Sequence, residues 1–104
     1  MGDAGAGPGG RGVKRRVKSS EELEAERAAL RQGLREGRLS IGEAVRAMRH
    51  LTGLTQKDYA ERVAKVFPRV LMDIERGKAN PTVETLERLA KPWGWKVGFV
   101  PPPE

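Results

Sequence analysis

Between Ser19 and Pro92 the chain is cut into short lengths by residues that start and stop helices, and this punctuation limits the fold more than any other feature. Ser19-Ser20-Glu21-Glu22 and Ser40-Ile41-Gly42-Glu43 each place a hydroxyl three residues before a glutamate, so that each side chain satisfies an amide left free at a helix start. Gly37, Gly53 and Gly77 follow helix-forming runs as stops, Pro68 can open a helix without losing a needed N–H, and Lys91-Pro92 closes the last helical run. Helices of this length do not persist alone in water, so they must be held by packing against one another.

The apolar spacing agrees with the punctuation. Residues 19–37 form a first helix with a thin stripe of Leu23, Leu30 and Leu34, flanked by Ala25, Ala28 and Ala29, on an otherwise charged rod that needs a partner surface in its own domain or a second subunit. Ile41, Ala44, Val45, Met48 and Leu51 give a second helix ending near Thr52. A short helix opens at Thr55, with Asp58 three residues on and Tyr59, Ala60 and Val63 inward; the next starts at Pro68 with Leu71 and Ile74 inward. Thr82 caps a last helix whose expected packing face is Val83, Leu86, Leu89 and Ala90. From 93 to 100 the pattern alternates, with Trp95, Val97 and Phe99 on one side and Lys96 and Gly98 on the other, and predicts a short β-strand. A lone strand has no ladder partner inside a helical domain, which points to pairing with a second chain.

The chain has 104 residues and a formal charge of +6, of which Arg11, Lys14, Arg15, Arg16 and Lys18 against Asp3 place +4 in residues 1–18. That glycine-rich, basic segment carries too little apolar surface to offset the entropy of ordering it, and is expected to be a disordered tail or an arm on phosphates. Excess charge concentrated in a tail suggests an anionic partner without choosing among DNA, RNA and membrane. There is no cysteine, and His50 is the only histidine, so disulfides, thiol nucleophiles and ordinary Cys/His zinc sites are excluded within one chain. No metal or cofactor is expected. No apolar run is long enough for a membrane span or a signal-peptide core, and the expectation is a soluble cytoplasmic protein. His50 and the scattered glutamates form no catalytic pair, and no enzymatic activity is expected.

The most specific feature is the path from Leu54-Thr55-Gln56 through Ala60 to Ile74-Glu75-Arg76-Gly77, followed by Asn80-Pro81-Thr82, Thr85-Leu86 and Leu89-Ala90. Two short helices joined by a brief connection can brace one against a DNA backbone and project the other into the major groove. In combination these elements, over about residues 40–91, resemble the lambda-repressor-like helix-turn-helix family of bacterial regulators, the xenobiotic-response-element type. The added first helix and the ending Trp93-Gly94-Trp95-Lys96-Val97-Gly98-Phe99 resemble antitoxin regulators of the HigA and HipB kind.

The resemblance implies an all-α lambda-repressor-like domain, binding double-stranded DNA as a homodimer, and an autorepressor reading a palindromic operator. A toxin partner, or an adaptor role without specific DNA reading, are the alternatives. By resemblance Pro68, Arg69, Met72 and Asp73 face bases; Gln56, Lys57, Lys78, Asn80 and Arg49 are candidates for the DNA backbone; Glu75 pairs within the domain. Arg69 can take guanine O6 and N7 bidentately, worth about 1–3 kcal/mol of discrimination, or simply pair with Asp73 one turn on. Trp93, Trp95, Val97 and Phe99 are the expected dimer interface.

Two departures from the family pattern stand out. The connection from Ala60 to Arg69 is one residue longer than usual and lacks the turn glycine, which leaves the register of the recognition helix open. Phe67 stands where a small polar cap is common; it is expected to pack into the core, and the alternative is that it protrudes toward a thymine methyl.

Overall fold

The computed structural model describes residues 18–102 and 104. The glycine-rich part of the expected tail, residues 1–17, lies outside the described residues. Five α-helices follow in order: α1 (Ser20–Arg35), α2 (Ile41–Thr52), α3 (Gln56–Asp58), α4 (Pro68–Glu75) and α5 (Val83–Ala90). A π-helical segment, Tyr59–Ala64, continues α3, and a 3₁₀ turn, Lys91–Trp93, continues α5. This is the all-α, lambda-repressor-like helix-turn-helix arrangement with an added N-terminal helix.

The predicted caps are made. Ser19 and Ser40 close full capping boxes with Glu22 and Glu43, and the hydroxyls of Thr55 and Thr82 accept the amides of Asp58 and Thr85. The core gathers Val45 from α2, Tyr59, Ala60 and Ala64 from the π-helical segment, Leu71 and Ile74 from α4 and Leu89 from α5. Val83 is the exception on the expected packing face of α5, being 62% exposed. It is the first residue of its helix, and because Cα–Cβ bonds tilt toward the helix N-terminus its side chain leans out past the packed turns.

The long connection resolves into two compensating features. The π-helical segment widens the turn: Tyr59 and Ala60 are buried as expected, while Ala64 takes the third buried position and the expected Val63 is half-buried against the core. The turn then reverses at Lys65 (φ 59°), which fills the left-handed position a glycine would ordinarily take. The amides of Lys65 and Val66 both return to the carbonyl of Ala60, and the Arg88 guanidinium donates to the Lys65 carbonyl at 3.0 Å.

The C-terminal strand is not formed. Among the described residues no β-strand occurs; after the 3₁₀ turn the Gly94 and Trp95 amides cap the helix end on Lys91 and Ala90, and residues 96–102 run on irregularly. The alternation of Trp95, Val97 and Phe99 satisfies the strand pattern, but a strand needs a neighbouring ladder and the domain offers only helices.

Candidate nucleic-acid interface

The geometry of α4 is set from its C-terminal end. Leu71 and Ile74 anchor it in the core, and Glu75, one residue from its end, is 6% exposed and surrounded by donors. Arg49 from α2 grips it bidentately (Nε to Oε2 2.8 Å, Nη2 to Oε1 3.0 Å), and Gln56 from α3 donates its amide to Oε1 at 3.0 Å. The Arg46 guanidinium stands 3.9 Å from the same carboxylate and donates to the Glu75 carbonyl at 3.4 Å. Burial pushes the Glu75 carboxyl up, but the hydrogen bonds of Arg49 and Gln56 and the charges of Arg49 and Arg46 outweigh it and hold the group below its ordinary value. Donating those hydrogen bonds to Glu75 in turn raises Arg49. One carboxylate therefore ties three helices together.

This contact requires a close approach of α2 to α4, and Gly42 makes it possible. A Cβ at Gly42 would stand 2.5 Å from the Ile74 carbonyl oxygen and 3.1 Å from that of Glu75. In the sequence Gly42 belongs to a capping box, and a glycine inside a good helical pattern is also the signal that backbone packs against it.

The N-terminal end of α4 is bare. Phe67, its N-cap, makes no side-chain cap and is 79% exposed, so the expectation that it packs into the core is corrected. Val63, Ala64 and Val66 of the connection supply its contacts with the core, and Phe67 takes no part in it. Two residues on, the Arg69 side chain is 79% exposed and stands 3.5 Å from Asp73, a loose i,i+4 pair. Met72, Asp73 and Pro68 are half-buried alongside.

Lys57 in α3 and Lys78 and Asn80 after α4 are exposed, and Gln56 is half-buried with its amide on Glu75. Arg49 stands apart from this set. Its donors are spent on Glu75 and on the Leu54 carbonyl at 3.1 Å, and its side chain is 13% exposed, so it is turned inward rather than toward a phosphate. Its helical position gave no warning, because the partner that turns it lies 26 residues away.

The four aromatic-end residues divide. The Trp93 indole donates to the Tyr59 hydroxyl at 2.9 Å and belongs to its own domain, while Trp95 stacks on it with ring centroids 5.1 Å apart. Val97 and Phe99 are exposed. Among the described residues no cluster of His, Asp and Glu could hold a metal ion, and no helix is long and apolar enough to cross a membrane.

A helix-turn-helix family profile matches residues 45–92, the stretch that runs from the middle of α2 to the 3₁₀ turn. An HTH-type transcriptional regulator, DdrOP3 of Deinococcus deserti, is 39% identical over 56 residues, which is 54% of this chain and 43% of the relative. An immunity repressor protein of Bacillus phage phi105 is 36% identical over 62 residues, 60% of this chain and 42% of the relative. The chain thus spans a little over two-fifths of the length of these curated relatives, and no solved structure matches it. The two helices, the turn and the profile agree that residues 45–92 have a helix-turn-helix arrangement, similar over this stretch to a transcriptional regulator and a phage repressor.

Proposed function

We propose that the protein is a sequence-specific DNA-binding repressor that works as a dimer, reads a palindromic operator and controls its own promoter. The observation that carries this reading is the contrast on α4: a helix locked from below by Leu71, Ile74 and Glu75, with Phe67 and Arg69 projecting freely from its leading end. A rigid helix with a bare N-terminal edge is the shape that enters a major groove. Arg69 is the proposed guanine reader, with Asp73 orienting it and Pro68 and Met72 beside it; Lys57, Lys78 and Asn80 take phosphates. Arg49 is assigned to holding Glu75, and Gln56 gives one amide hydrogen to the same carboxylate while keeping the rest of its amide for the backbone. A two-fold dimer would address half-sites about 34 Å apart.

The test is selection of bound duplexes from a random library at about 150 mM salt, with wild type and Arg69→Ala in parallel. The expected result is a palindromic consensus that loses contrast at one position per half-site in the variant, equivalent to about 1–3 kcal/mol. No enrichment over random duplex overturns the DNA reading and directs the search to a protein partner, as an antitoxin or adaptor role requires.

A further inference from the structure

Two features of this molecule are incomplete by themselves, and both lie along α1. The first is its leading half. From Ser20 to Ala29 every residue is exposed except the half-buried Leu23 and Glu26, and the residues of α1 that bury are Leu30 and Gly33, both in the trailing half. A helical overhang of this length gains little from propensity alone and is normally held by packing.

The second is an open groove of about 810 Å³ between the trailing half of α1, α2, α5 and the segment after the 3₁₀ turn. Leu34, Met48, Leu86, Trp95 and Phe99 supply its apolar walls. Its charged lining residues, Arg31, Arg35 and Lys96, are all basic. No residue of α3, the π-helical segment or α4 takes part, so the groove stays open when the proposed DNA edge is occupied.

We infer that the occupant of this groove is the leading half of α1 from a second copy of the chain. The charges choose it. The overhang carries Glu21, Glu22, Glu24 and Glu26 against the single Arg27, which stands 3.9 Å from Glu24, and the groove faces this net negative segment with Arg31, Arg35 and Lys96. The apolar spacing chooses the register. Leu23, Leu30 and Leu34 fall on one stripe of the helix, with Leu30 buried in its own domain and Leu34 on the groove wall. A two-fold axis crossing α1 near Ala28 and Ala29 lays the two helices antiparallel, brings Leu23 level with the Leu34 of the partner subunit, and brings Glu26 level with the Arg31 of the partner subunit. Glu26 is paired with Lys18 in the single chain, and the arginine joins that contact. The arrangement is isologous and closed, so each copy covers the overhang of the other. It gives the proposed dimer its interface and is independent of whether α4 reads sequence.

Sedimentation equilibrium of the full chain without DNA, at about 150 mM salt, tests it. Wild type is expected to dimerise. Glu26→Arg and Arg31→Glu, both at solvent-accessible positions, should each raise the dimer dissociation constant roughly tenfold while leaving helical circular dichroism and Tm unchanged in the monomer. The double variant Glu26→Arg with Arg31→Glu restores the pairing in reverse and should return the constant to within about threefold of wild type. Leu23→Asp should abolish dimers. A wild type that stays monomeric, or a dimer indifferent to both reversals but broken by Phe99→Asp, overturns the α1 pairing; the latter outcome would place the interface in the C-terminal segment alone. Operator selection with the monomeric variant then separates failure of this interface from failure of the DNA reading.

Discussion

The two ends of α4 are built on opposite principles. At the trailing end a carboxylate is buried under two guanidiniums and an amide, and backbone touches backbone across a glycine. At the leading end the N-cap makes no cap, the aromatic ring touches solvent, and the one ion pair is long and exposed. A helix fixed at both ends could present little, and one fixed at neither would present it in no constant direction. The difference shows that polar interactions in this domain orient α4, and that its stability is concentrated where the proposed function is not.

The comparison can be broken most severely at the trailing end. Glu75→Gln leaves Arg49 without its counter-charge in a largely closed site, and should cost about 3–5 kcal/mol of stability by chemical denaturation. The same carboxyl predicts the acid response. Its folded value lies below the ordinary one, so its contribution is fully present above about pH 4.3 and is lost as pH falls through the lower folded value. Glu75→Gln should therefore flatten that acid limb, and an unchanged limb would show that the stabilisation lies elsewhere.

Next in size is Gly42→Ala, which drives a methyl into the Ile74 carbonyl; α2 and α4 must part, at about 1–3 kcal/mol, and the Arg46 and Arg49 contacts should loosen with them in amide exchange. The smallest effect sharpens the contrast from the other side. Phe67→Ser supplies the missing cap and should stabilise the domain by about 1 kcal/mol in thermal melts, a gain that would come with altered operator contrast if the ring contacts thymine.

How much of this was legible depended on the distance over which the deciding interaction acts. The boundaries of α1, α2 and α5 follow from serines, threonines and glycines that act within four residues, and they were readable as such. The role of Arg49 was not, because an arginine on a helix face looks alike whether a phosphate or a distant glutamate receives it. The extra residue before Arg69 was visible in the spacing, but whether it rotates α4 or is absorbed depends on the packing of Tyr59, Ala60 and Ala64 around it. The C-terminal alternation was misread for a related reason: period-two spacing is necessary for a strand, and the missing ladder partner is a property of the fold, not of the segment.

The widened turn at Tyr59–Ala64 also limits what can be exchanged between this domain and its relatives. It spreads the connection between α3 and α4 over a wider turn, so the placement of α4 depends on the residues within that turn. Transplanting α4 alone into a domain with the shorter connection, or receiving one from it, would join a helix to a spacer cut for a different chain. Specificity swaps should therefore carry residues 59–76 as a single cassette, with Lys65 included.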